Sequence, residues 1–190
     1  MPTEWSTWTG VSVFRAYQNQ LVGTLPTAWS GRTQIDDFMV NSNQITGSLP
    51  TNRSAWTGIS TFRVNNNTLV GTLPTEWSTW TTINDFRANF NNINGTLPTE
   101  RSTWTSINTF NVAQNSLTGV LPTNRSGWTS ISNFTAFENG ITGSLPAEWS
   151  TWSNIGTFIA SSNQFIGILP TAWSTWTSIT NFNVSLNSIT

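Results

Sequence analysis

The sequence predicts a repeat solenoid, in which short parallel strands, one per turn of a long coil, share a single elongated core. Three observations predict it. All eight prolines, Pro2, Pro26, Pro50, Pro74, Pro98, Pro122, Pro146 and Pro170, stand 24 residues apart. Phe recurs at the same interval at 14, 38, 62, 86, 110, 134, 158 and 182, with no exception. Around that column apolar and polar residues alternate, as in Phe62, Arg63, Val64 and Asn65, which is the period of a strand. A fixed interval of this size marks a stacked array, whose units bury their apolar faces only against their neighbours.

Each element of the unit has a physical reason. An aliphatic column (Val11, Ile35, Ile59, Ile83, Ile107, Ile131, Ile155, Ile179) opens it, and the Phe strand follows, so Phe is expected to form a buried spine. Next comes an invariant Asn, at Asn19, Asn43, Asn67, Asn91, Asn115, Asn139, Asn163 and Asn187. An amide inside a coil must be hydrogen-bonded, and it offers both donors and an acceptor to neighbouring backbone; we read this column as a structural ladder. Glycine follows at Gly23, Gly47, Gly71, Gly95, Gly119, Gly143 and Gly167, where a conformation closed to side chains is expected, and proline fixes the next turn.

Three and six residues after each proline lie two columns that contain all 12 Trp, among them Trp5 and Trp8, Trp77 and Trp80, and Trp173 and Trp176. Spacing of three places both on one side of a 3₁₀ turn, as core filling. Arg replaces Trp at Arg32, Arg53, Arg101 and Arg125, never in both columns of one unit. Arg53 is expected between Trp29 and Trp77. A cation–π stack contributes about 0.5–2 kcal/mol, less than burying the charge costs, so the first column is expected to be only partly buried. Regular Ser (Ser6, Ser30, Ser54, Ser78, Ser102 onward) and Thr (Thr9, Thr33, Thr57, Thr81 onward) columns are read as hydroxyls closing the turn by local backbone bonds. Their rival reading is an ordered hydroxyl face, as in ice-binding solenoids.

The run Asn115-Ser116-Leu117-Thr118-Gly119-Val120-Leu121-Pro122 resembles the repeat of the plant-type leucine-rich-repeat class, and the likeness covers the whole chain. Within that class, Leu73-Pro74-Thr75-Glu76-Trp77-Ser78 is similar to repeats of kinetoplastid promastigote surface antigens and proteophosphoglycan-like surface proteins. The resemblance implies a curved right-handed coil with a parallel β-sheet on the concave face and loops or 3₁₀ turns on the convex face. It also implies extracellular or cell-surface recognition. The chain reads as one array, residues 1–190, of nearly eight repeats. Both ends fall inside a repeat and no capping unit or cysteine pair is present, so it is expected to be a fragment; a leader or membrane anchor would lie outside it.

Composition excludes much chemistry. With 7 basic residues, all Arg, and 8 acidic ones, charged side chains make up 8% of the 190 residues, against roughly 25% in an ordinary domain. A net charge of -1 gives no footprint for nucleic acid, and no stretch of the sequence spans a membrane. Without His, Cys or Lys, the nucleophilic triads, thiolate or imidazole metal sites, Schiff bases and phosphate-binding lysine loops are excluded; no cofactor, metal or enzymatic activity is expected.

Candidate function is recognition or adhesion, with an ordered-surface binder or a purely structural coat or spacer as the alternatives, and it rests on outward strand positions that the scaffold leaves free. Arg15, Tyr17, Asp37, Arg63, Asp85, Arg87, Phe90, Phe137 and Glu138 form a candidate patch for a protein or carbohydrate ligand, because planar donors and amphipathic rings suit both. Strand spacing makes Arg63 and Arg87 adjacent and sets Asp37 and Asp85 about 10 Å apart. That distance would suit an inverting glycosidase, but an open surface beside arginines favours solvated ion pairs. Glycosylation acceptor sequences occur at Asn52, Asn66, Asn94, Asn124, Asn133 and Asn183.

Overall fold

A computed structural model describes residues 7–99 and 103–190. The expectations for Met1, Pro2, Trp5, Ser6, Arg101 and Ser102 fall outside the described residues. Eight parallel strands, Val13–Arg15, Asp37–Met39, Thr61–Arg63, Asp85–Arg87, Thr109–Asn111, Asn133–Thr135, Thr157–Ile159 and Asn181–Asn183, form one sheet in sequence order. Its register pairs residues one repeat apart, Phe14 with Phe38 and Phe38 with Phe62. This is the concave sheet of a leucine-rich-repeat solenoid.

A second strand in each coil was not anticipated. Val22–Thr24, Gln44–Thr46, Val70–Thr72, Asn92–Thr96, Ser116–Thr118, Thr142–Gly143, Gln164–Gly167 and Ser188–Ile189 line up along the flank in three short parallel sheets, linked by bridges from Ser48 to Val70 and from Val120 to Thr142. Here the register is different, since Val22 pairs with Gln44 and Gly23 with Ile45. The glycines between have φ of 75–82°, a left-handed conformation that costs a side chain energy. A second left-handed column precedes the Asn column, and it holds ordinary residues, from Gln18 (φ 55°) to Leu186 (φ 55°).

The Phe spine stacks ring on ring, with centroids 5.5 Å apart for Phe38 and Phe62 and 5.8 Å apart for Phe62 and Phe86. After each described proline from Pro26 onward the chain makes a five-residue 3₁₀ turn where it is described, as at Thr75–Thr79. That turn presses both Trp columns into the core from Trp29 onward; Trp8, expected as core filling, is 46% exposed in the first described coil, where no described turn precedes it. Trp77 and Trp80 are fully buried, stack 4.2 Å apart and meet Phe62 at 5.0 and 5.1 Å. A buried Trp removes about 150–250 Å² from water, about 4–6 kcal/mol before conformational entropy is charged against it.

The expectation of a partly buried first column is wrong. Trp29, Trp77 and Trp149 are 0% exposed, and so are Arg53 and Arg125. The reason lies in hydrogen bonding. Trp77 and Trp149 donate Nε1–H to Pro50 and Pro122 carbonyls one coil back, at 3.1 Å each. Arg53 and Arg125 direct Nη2 at the equivalent Pro26 and Pro98 carbonyls, at 3.4 and 3.3 Å. Nor does Arg53 stack between the tryptophans of neighbouring coils. Its guanidinium lies over Trp56 of its own coil at 4.1 Å, and Arg125 lies over Trp128 at 4.2 Å, which reproduces the Trp–Trp pair of other units. Burial lowers the Arg53 pKa to about 9, with the like charge of Arg32 adding to the effect.

Asn67 shows how the amide column works. Its Nδ2 donates to Val40 O of the coil before (3.1 Å) and to Val64 O of its own (3.0 Å), while Oδ1 accepts from the Ile45 amide (2.9 Å). Asn43, Asn91, Asn115, Asn139, Asn163 and Asn187 donate in the same way to carbonyls of their own coil and of the one before. Asn19 bonds within its own coil to Ala16 O and Tyr17 O. Beside the Ser column, turn threonines bond both locally and across coils: Thr79 and Thr175 donate to Glu76 O and Ala172 O three residues back, at 3.5 and 3.3 Å. Thr103, Thr151 and Thr175 donate across coils to the Ser78, Ser126 and Ser150 carbonyls, at 2.5, 2.6 and 2.6 Å. These threonines follow the Ser column directly, and the serines contribute main-chain oxygens.

Candidate ligand-binding face

The concave sheet turns the residue on each side of every Phe outward, so neighbouring coils bring unlike side chains together. Arg15 donates Nη2–H to Asp37 Oδ2 of the next coil, a contact that raises the Arg15 pKa through the hydrogen bond first and the charge second. Arg63 makes the same diagonal reach to Asp85, with Nη2 at 2.6 Å and Nε at 3.1 Å from Oδ2. Arg87 also takes Asp85, from Nε to Oδ1 at 2.8 Å and from Nη2 to Oδ2 at 3.1 Å. Arg63 and Arg87 are register partners, and one carboxylate sits between them. This cluster carries two positive charges and one negative.

Asp37 and Asp85 each face Thr61 across one strand step, which sets them two strands apart, about 10 Å. Both carboxylates are held by guanidinium groups, which leaves no free acid and base flanking a substrate. Arg15, Tyr17, Asp37, Met39, Asn41 and Arg63 are among the residues that line a recess of about 410 Å³ at this end of the sheet. Met39 and Asn41 had no place among the candidates. The sequence does show them as outward positions, and only the missing charge or ring had set them aside.

Phe90 and Phe137 stand apart from the recess. Phe90 is 46% exposed on left-handed backbone (φ 55°), and Phe137 is half-buried two coils further on. Between their coils Gln114 donates Nε2–H to Glu138 Oε2 at 2.7 Å. The nine candidates thus divide into a charged recess, an arginine–aspartate cluster that shares Arg63 with it, and an aromatic stretch. Of the glycosylation acceptors, Asn52, Asn66, Asn94 and Asn124 are exposed, while Asn133 and Asn183 are half-buried on the concave sheet. Among the described residues no helix is long and apolar enough to cross a membrane, and no three His, Cys, Asp or Glu gather as a metal site.

No protein-family model matches the chain, and no curated protein does. Solved structures do. A TDR receptor is 25% identical over the whole chain with a TM-score of 0.96. The Arabidopsis receptor kinase HAESA, solved with the peptide hormone IDA and the co-receptor SERK1, is 22% identical over the whole chain, again with a TM-score of 0.96. A plant ice-binding protein is 18% identical over 93% of the chain, with a TM-score of 0.83, and the match covers 57% of that protein. The chain spans about a third of each receptor structure, 33% and 32%. The strand order, the register and these likenesses together establish the fold as a leucine-rich-repeat solenoid similar to plant receptor ectodomains.

Proposed function

We propose that the chain is a non-catalytic extracellular or cell-surface recognition module that holds a protein or peptide on its concave sheet. The observation that carries this reading is the uneven chemistry of that sheet: a recess walled by the Arg15–Asp37 pair and Arg63, the Arg63–Asp85–Arg87 cluster beside it, and exposed Phe90 beyond. Planar donors and half-exposed rings on a rigid scaffold are what binding hot spots are made of. The HAESA structure, with its peptide hormone and co-receptor, supports a polypeptide ligand over a sugar. The finer likeness to kinetoplastid surface antigens rests on the Leu73–Ser78 wording alone. The test is an array of extracellular proteins, peptides and glycans probed with the chain and with an Arg63→Ala/Arg87→Ala/Phe90→Ala variant. Binding lost in a folded variant supports the reading; no binding by the folded chain, or binding that the variant keeps, overturns it.

A second reading, attachment to an ordered uncharged surface, is supported by the fold's likeness to the plant ice-binding protein and by the low charge.

A further inference from the structure

The flank strands carry a pattern that the concave reading does not use. On each side of the seven left-handed glycines stands an outward residue, and none of these is charged: Val22 and Thr24, Thr46 and Ser48, Val70 and Thr72 begin the series. Most are exposed, and Val22, Val70, Val120, Ile166 and Ile168 are among the large apolar side chains left most open to solvent.

These side chains are fixed as well as exposed. Before the glycine, Thr46, Thr118 and Thr142, and at the matching position Thr190, each donate the hydroxyl proton to a glycine carbonyl of the preceding coil, at 3.3, 3.4, 3.0 and 3.3 Å. After it, Thr72 and Thr96 lay their methyl groups over the glycine of the next coil. A Cβ built on Gly95 or Gly119 would meet those methyls at 2.8 or 2.7 Å. The glycine column thus has two uses: it takes the left-handed turn, and it makes the seat that holds a β-branched neighbour in one rotamer.

From this geometry we infer that the flank is a second binding face, and that its ligand is water ordered as ice. The inference rests on the ordered-surface reading above and assigns it a face. Side chains already held in one rotamer lose little entropy on meeting a lattice. Coils repeat at about 4.8 Å, so hydroxyls and methyls recur at one interval along the flank. The hydroxyl protons of Thr46, Thr118, Thr142 and Thr190 are committed to backbone, so their lone pairs face outward as acceptors. At these four positions a second copy would bring acceptor against acceptor, whereas an ice surface supplies donors at each of them. The convex turns also hold threonines across coils, at Thr103, Thr151 and Thr175, but exposed Glu76 and Glu148 interrupt that side with charge, whereas the two rows beside the glycines carry none.

The test is ice-crystal growth in the presence of the full chain, followed by microscopy, with the oligomeric state measured in parallel. The chain is expected to facet crystals as a monomer. Thr118→Lys/Thr142→Lys on the flank should return growth to rounded discs, and Thr81→Lys/Thr129→Lys on the convex turns should facet like the unaltered chain. Val70→Lys, which removes no hydrogen bond made by a side chain, is the second flank variant should the double one melt early. Faceting that survives both flank changes but is lost in the convex variant would leave the ice reading standing and overturn this face. Absence of faceting by the unaltered chain would overturn both, as would a dimer that the flank lysines dissociate. Retention on a crystalline polysaccharide without faceting would also overturn the choice of ice.

Discussion

Replacing Arg53 by Trp should stabilise the protein. Arg53 is fully buried, no ion pair among the described residues includes it, and its Nε and Nη1 make no hydrogen bond. A pKa lowered from the ordinary arginine value to about 9, by burial first and the Arg32 charge second, corresponds to about 5 kcal/mol against the charged form. The stack on Trp56 returns about 0.5–2 kcal/mol of it. Tryptophan would keep the bond to Pro26 O, as Trp77 does to Pro50 O, and exchange the cation–π contact for a ring stack of about 0.5–1.5 kcal/mol. Trp149 and Trp173 show that adjacent coils accommodate Trp in this column. Replacing a buried ion by an apolar group of similar size stabilises proteins by about 1–4 kcal/mol. A gain of about 2 kcal/mol would raise the melting temperature by roughly 4–8 °C at this chain length. The pH dependence has a definite sign. The folded pKa lies below the unfolded one, so the penalty is complete below about pH 9 and is lifted as pH rises from about 9 toward the ordinary arginine value. The advantage of Arg53→Trp should therefore narrow in that window. Thermal unfolding followed by circular dichroism at pH 7 and pH 10 checks both; a variant that melts at or below the parent at pH 7 refutes the reasoning.

Asn67→Ala should cost about 1–3 kcal/mol, since it takes the acceptor from the Ile45 amide and leaves Val40 O and Val64 O with one amide donor each, from Asn43 and Asn91; Asn67→Asp should cost about as much, by turning an oxygen toward those carbonyls, and exchange at the Ile45 amide should accelerate in Asn67→Ala. Gly95→Ala should destabilise by about 1 kcal/mol or more, because its φ is +76° and the Thr72 methyl stands 2.8 Å from the new Cβ; Gly31→Ala, with nothing within 4 Å, should be neutral or add about 0.4–1 kcal/mol, and denaturant titration separates them. Asp85→Asn should lower the melting temperature most at low ionic strength and recover in salt, because Arg63 and Arg87 then repel without the shared carboxylate.

The columns that the sequence displays openly are those where one residue type answers one demand in every coil. Phe62, Trp80 and Pro74 were assigned places from spacing alone, and they occupy the spine, the stack and the start of the turn. The flank strands were hidden because Val22, Gly23 and Thr24 are all exposed, so no alternation marks them as a strand. The left-handed column from Gln18 to Leu186 was hidden for a related reason: backbone bonds to the next coil, such as Gln18 N to Asn41 O at 2.9 Å, hold that conformation, and the side chains are free to vary. The burial of Arg53 was misjudged because its carbonyl acceptor belongs to another coil. In the candidate site, the charged pairs followed from strand spacing, whereas Met39 and Asn41 became visible only as walls of a recess.

The amide ladder also gives the array a direction in time. The Leu69 amide finds its acceptor in Asn91 and the Ile93 amide finds its own in Asn115, each 22 residues downstream. A coil leaving the ribosome therefore holds an unanswered inward donor until the following coil has been made and has docked. Synthesis at about 5–20 residues per second turns that distance into a wait of about one to four seconds. During this interval the newest coil has no lock, and each arriving coil secures the one before it, so assembly should advance as a ratchet from the amino-terminal side.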